Sequence, residues 1–152
     1  MPIPVSTFKR AFSVTVVFFL ALFIASNLNA QAKLLITDVR IAKGDSHYDT
    51  YSNKSANIAS DVPVTVLLYR ENNVSYYACF HYTQRGRKLK LTIEDYVMYG
   101  DERVKTDKQV VKQRMDDDLD TERMIGYTEE EIVYNPDVGN KLRVIYRFEL
   151  NY

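Results

Sequence analysis

The chain has 152 residues, with 20 Lys and Arg against 20 Asp and Glu, 12 tyrosines, no tryptophan and one cysteine. Balanced charge argues against a nucleic-acid binder, which needs a strong basic excess, and one cysteine excludes an intrachain disulfide. The length holds one domain with one sizeable core and leaves no room for a second.

The first 32 residues read as a targeting signal. Lys9 and Arg10 precede the apolar run Ala11 to Ala25, and Ala30-Gln31-Ala32 offers the small residues that a signal peptidase reads. A run of roughly 15 apolar residues is short for a bilayer span, which needs about 20. The spacing therefore predicts a signal peptide over residues 1–32, cleaved near Ala30 or Ala32, and a secreted, periplasmic or cell-envelope product. A membrane contact is expected only if the segment is kept as an anchor. Cleavage removes Lys9 and Arg10 and leaves residues 33–152 slightly acidic, with all the tyrosines. Cys79, alone in an oxidising compartment, reads as a small half-buried hydrophobe.

A period of two then runs through the chain. Lys33 to Ala42 reads as a strand with Leu35, Thr37, Val39 and Ile41 on one face. Residues 43–60, rich in Ser, Asn, Asp and Tyr, have the composition of a long surface loop. Val62, Val64, Val66 and Leu68 alternate with Pro63, Thr65, Leu67 and Tyr69, and Pro63 stands at the strand start, where its missing N–H is tolerated. The turn Glu71-Asn72-Asn73 leads into Val74, Tyr76, Ala78, Phe80 and Tyr82, so the two strands read as a hairpin. A second turn over 84–87, holding Gly86, leads into Leu89, Leu91 and Ile93 and completes a meander over 62–98.

Residues 103–121 carry two competing patterns. Val104, Val111, Met115 and Leu119 sit near helical spacing and Thr106-Asp107-Lys108-Gln109 fits a capping box, which favours one short helix around 107–119. Val110 lies off that face, and Asp116-Asp117-Asp118 would stand at the negative end of the helix dipole, which favours a strand or extended segment. Residues 122–127 read as a short strand. Glu131 to Tyr134 and the turn over 135–140 supply a partner for the last strand, although Thr128-Glu129-Glu130-Glu131 can also open a helical turn. The last strand alternates most cleanly. Leu142, Val144, Tyr146, Phe148, Leu150 and Tyr152 share one face; Lys141, Arg143, Arg147, Glu149 and Asn151 share the other, broken by Ile145.

These alternating faces predict a mainly β fold, a single antiparallel β-sandwich over residues 33–152. A small β-barrel is the alternative, since a terminal strand ending in Tyr152 is similar to the last strand of outer-membrane barrels. Such a barrel needs at least eight strands of about 9 to 11 residues, and the polar stretches 43–60 and 101–122 leave little room for them.

No catalytic, metal or cofactor motif stands out. The acidic tract over 116–122 lacks the glycine and distal glutamate of a calcium loop and reads as solvated. His47 and His81 share no metal-ligand spacing. Cys79 and His81 are neighbours on one strand face, roughly 7 Å apart, too far for direct proton transfer. Asp45 and Asp49 are the remaining candidates for acid–base chemistry. Arg85-Gly86-Arg87-Lys88-Leu89-Lys90 is a basic turn suited to an acidic glycan, a lipid headgroup or an acidic protein face. Asn53-Lys54-Ser55 and Asn73-Val74-Ser75 match the glycosylation acceptor pattern in a loop and a turn.

The succession Tyr77-Ala78-Cys79-Phe80-His81-Tyr82, Asp95-Tyr96, Gly126-Tyr127-Thr128-Glu129-Glu130-Glu131-Ile132 and Leu142-Arg143-Val144-Ile145-Tyr146, with the leader ending Asn29-Ala30-Gln31, resembles immunoglobulin-like or C2-like sandwich modules of exported Bacteroidetes-type proteins. The resemblance implies a fold and a compartment and carries no functional residue across. The expected function is a non-catalytic binding or interaction module with a protein or glycan partner and no nucleic acid, using Tyr48, Tyr51, Tyr69 and Tyr99 as contacts. A small secreted enzyme of unrecognised type is the alternative.

Overall fold

Alternation of apolar and polar residues resolves into two antiparallel sheets over residues 31–115 and 123–152, the residues that the computed structural model describes. Residues 1–30 of the leader expected over 1–32, and the acidic tract 116–122, lie outside the described residues, whereas Ala32 already opens β1 and is buried. One sheet joins β1 (Ala32–Lys43), the short β2 (Asp49–Thr50) and β3 (Lys54–Ile58), β8 (Arg123–Asn135) and β9 (Asn140–Asn151). The other is the meander β4 (Val64–Glu71), β5 (Val74–Arg85), β6 (Lys88–Tyr99) and β7 (Glu102–Arg114). The first sheet runs β2-β1-β9-β8, with β3 also on β1, and among the described residues no ladder joins it to the second. The fold is thus an open β-sandwich, and the barrel alternative is set aside.

The inner faces meet in one core. Leu34, Ile36, Val144, Tyr146, Phe148 and Leu150 come from the first sheet, and Tyr76, Phe80, Tyr82, Leu91, Ile93 and Val97 from the second. Phe80 packs edge-on against both Tyr146 and Phe148, with ring centroids 6.4 and 6.0 Å away. The expected meander, its two turns and the inward face of the last strand are all present, and Ile145 is buried as well.

Several expectations are corrected. Of the two patterns read over 103–121, the strand is the one present: β7 pairs with β6 for its whole length and stands over 107–114 in place of the alternative helix around 107–119, because cross-strand bonds and burial of Val104 and Val111 override a local capping pattern. Thr128 to Glu131 lie inside the continuous β8, paired with β9, so no helical turn opens there. The loop expected over 43–60 contains β2 and β3, both laid along β1.

Irregularities in the ladders shift faces. On β1, three residue steps from Thr37 to Arg40 oppose two on β9, and Asp38 takes a left-handed φ of 53°. That bulge turns Ala32, Leu34 and Ile36 inward before it and Val39 and Ile41 inward after it. The face Leu35-Thr37-Val39-Ile41 therefore holds only in its second half. A second bulge, between Leu67 and Tyr69, buries both Leu68 and Tyr69, while Val62 lies outside the strand and is exposed.

Candidate functional site

Two groupings of polar side chains stand out, one on a sheet face and one between the sheets. On the outer face of the meander, Tyr77 and Tyr96 are directly opposed on β5 and β6. Their rings stack with centroids 5.2 Å apart and planes 16° from parallel. Arg103 of β7 places its guanidinium carbon 3.8 Å from the Tyr96 ring centre. One ring face cannot carry both neighbours, so Tyr96 is covered on both sides. On β4, Arg70 donates to the Tyr77 hydroxyl at 3.0 Å and to the Ser75 hydroxyl at 3.3 Å.

The row Arg70-Tyr77-Tyr96-Arg103 thus crosses all four strands, at one residue per strand. Each contact is modest, roughly 0.5–1 kcal/mol for an exposed cation–π pair and 0.5–1.5 for an aromatic pair. Their chief consequence is order: two long cationic side chains are held in place before any partner arrives.

The second grouping is a buried carboxyl pair. The β6 alternation that buries Leu89, Leu91, Ile93 and Val97 also turns Asp95 inward, where it is 2% exposed. Tyr146 of β9 donates from its hydroxyl to the Asp95 carboxyl, lying 3.0 and 2.9 Å from its two oxygens. Glu130 of β8 comes within hydrogen-bonding reach of Asp95 and accepts from the Tyr76 hydroxyl at 3.4 Å. Burial, then the Glu130 charge, pushes the Asp95 carboxyl up to about 8. Burial also raises Glu130 and, ahead of the Asp95 charge, both Tyr76 and Tyr146. Burial thus favours the protonated form of both carboxyls, with the Glu130 charge adding to the effect at Asp95.

A bulge in the β6–β7 ladder opposite Asp95 frames this pair, with Thr106 donating to the Asp95 carbonyl at 2.6 Å. Beside it the edge strands β7 and β8 leave a cleft of about 410 Å³, lined by Val104, Thr106, Asp107, Glu130 and Ile132 among others. Sequence reasoning missed both carboxyls. The signal was present, since Asp95 continues the inward alternation from Leu89, and Glu130 stands in phase with Met124, Thr128 and Ile132.

The residues singled out by sequence do not come together. His47 is exposed after β1, and Cys79 and His81 are half-buried on the outer face of β5. Asp45 pairs with Lys141 at 3.3 Å, and Asp49 is exposed on β2. In the basic turn, Arg85 makes a two-pronged contact with Asp61 at 3.0 and 3.1 Å. Asn53 and Asn73 are both exposed.

Of the four tyrosines expected as exposed contacts, Tyr69 belongs to the core and Tyr48, Tyr51 and Tyr99 are half-buried. Tyr69 is buried and stands edge-on to Tyr51, with ring centroids 5.4 Å apart. Tyr99 packs against Tyr134, and Tyr48 lies under the Arg143 guanidinium. Tyr77 and Tyr96, also half-buried, are the pair that stacks on one outer sheet face, and Tyr127 is exposed on β8.

Comparisons with family models, curated proteins and solved structures find no match to this chain.

Proposed function

We propose that this protein is an exported, non-catalytic binding module whose contact surface is the outer face of the β4–β7 sheet. The carrying observation is the row Arg70-Tyr77-Tyr96-Arg103, a set of Tyr and Arg side chains fixed in place on a rigid sheet. These residue types dominate binding energy at macromolecular contacts, and a pre-ordered side chain loses less entropy when a partner arrives. The leader pattern supports export, and the resemblance to exported immunoglobulin-like or C2-like modules agrees with a binding role. A protein or glycan of the cell envelope or exterior is the partner class.

The test is retention of the purified protein on envelope material of the producing cell. Tyr96→Ala with Arg103→Ala should release it, whereas Arg147→Ala, on the outer face of the other sheet, should not. Equal retention of both variants contradicts the reading.

A second reading, a small enzyme, draws on the Asp95–Glu130 pair beside the β7–β8 cleft, since two neighbouring carboxyls can act as acid and base. Against it, Asp95 is held by Tyr146 and almost wholly enclosed, out of reach of a substrate in the cleft.

A further inference from the structure

We infer that the outer face of the β4–β7 sheet binds an acidic polysaccharide, a linear chain bearing carboxylate or sulfate groups; this rests on the reading of that face as the contact surface. Although the chain as a whole is balanced in charge, this one face is not. Arg70, Lys90, Arg103, Lys108, Lys112 and Arg114 are exposed on it. Glu94 is the carboxylate that faces the same way among the described residues of these strands, and Lys108 pairs with it at 2.9 Å. Neither Lys90 nor Lys112 makes an ion pair among the described residues.

Lysines on the edge strand β7 would by themselves be a guard against strand pairing. Lys90 is not on an edge: β6 lies between β5 and β7. Lys90 stands directly opposite Lys112 in the ladder, a like-charge juxtaposition that costs stability unless an anion relieves it.

The shape of the cationic field selects the ligand. From Arg103 to Lys112 the charges run along β7 for about 30 Å, and Arg70 lies three strand spacings away, about 14 Å. A flat, elongated field suits a polymer that presents anions repeatedly, not a compact ligand that needs a pocket. Single-stranded nucleic acid is disfavoured because its bases need open aromatic faces, and Tyr96 is already covered by Tyr77 and Arg103. A lipid surface wants an apolar patch to insert, whereas Val110 is the large apolar side chain strongly exposed on this face. A protein partner wants a charge-depleted, aromatic centre ringed by a polar rim, whereas the cations here stand in a line along β6 and β7. The ordered guanidiniums of Arg70 and Arg103 match carboxylate and sulfate oxygens in pairs.

The experiment measures affinity of the purified protein for polygalacturonate and heparin, with neutral dextran, oligothymidylate and phosphatidylglycerol vesicles as comparisons. Binding to polygalacturonate or heparin, weakened by added salt, is expected. Lys90→Glu with Lys112→Glu should reduce it at least about tenfold, a loss of 1.4 kcal/mol, while Arg147→Glu leaves it unchanged and all variants melt cooperatively. Equal affinity for dextran, tighter binding to oligothymidylate or to vesicles, or indifference to the charge reversal overturns the inference. No binding to either acidic polymer, with envelope retention still lost in Tyr96→Ala/Arg103→Ala, overturns the ligand class alone. If that retention is also insensitive, the reading of the face falls with it.

Discussion

The Tyr146 hydroxyl bridges both oxygens of the Asp95 carboxyl across the interior of the sandwich, at 3.0 and 2.9 Å. It ties β9 of one sheet to β6 of the other and gives the buried Asp95 carboxyl its principal donor, with the Tyr76 hydroxyl also in reach. Removing that donor by Tyr146→Phe should destabilise the fold by about 1–3 kcal/mol, the cost of stranding a buried polar group. Chemical denaturation checks it; a loss well under 1 kcal/mol would mean that water or another donor serves Asp95.

The same carboxyl sets a pH dependence. Its proton affinity is raised on folding, to about 8 from about 3.9 in an unfolded chain, so in the window between these values the folded state binds the extra proton. Stability from this group is therefore full at the acid end and falls as pH rises toward 8, with a limiting slope of about 1.4 kcal/mol per pH unit. Melting curves from pH 5 to 8.5 should show a declining midpoint, and Asp95→Asn should flatten the decline. A midpoint that rises through this range would contradict the raised proton affinity of Asp95.

Gly126 of β8 faces Phe148 of β9 in the ladder, and a Cβ there would meet the Phe148 ring at 2.1 Å from Cζ. The ring lies over the glycine and fills the place of a side chain. Gly126→Ala should cost about 1–3 kcal/mol by overpacking and Phe148→Ala roughly 3–5 by cavity formation. Arg147→Ala, next along β9 and outward, should stay within about 0.5–1 kcal/mol. Equal losses for Phe148→Ala and Arg147→Ala in calorimetry would refute the β9 register.

Period-two alternation made most of this fold legible, because each strand buries one face and a one-residue slip would expose all of its apolar side chains. That rule broke where the ladders bulge: at Asp38 and at Leu68 the inward phase changes within a strand; an aspartate, which accepts a left-handed φ, marks the first, and nothing local in the sequence marks the second. The β7 segment was ambiguous because its capping pattern is local, while its pairing with β6 is not. The candidate surface was hidden for a related reason. Arg70, Tyr77, Tyr96 and Arg103 are scattered along the chain, and only strand register aligns them. Choosing contact tyrosines by loop position favoured Tyr69, which the bulge on β4 turns into the core.

Export is expected to depend on the apolar segment after Lys9 and Arg10, the targeting pattern read in this sequence. Replacing Phe18 and Leu20 by Asp should leave the precursor in the cytoplasm, as read by fractionation and immunoblotting. Unchanged export of that variant would remove the basis for placing the protein outside.

The most direct measurement of the central claim is a residue-resolved map of amide chemical shifts as solubilised envelope material or an acidic polysaccharide is titrated into the labelled protein. Binding through the outer face of the meander predicts perturbations centred on Tyr77, Tyr96 and Arg103 and extending along β6 and β7 toward Lys90 and Lys112, with β1 and β9 unmoved. Perturbations centred on Thr106, Glu130 and Ile132 instead would place the ligand in the cleft beside Asp95, contradict the binding-face account and favour the enzyme.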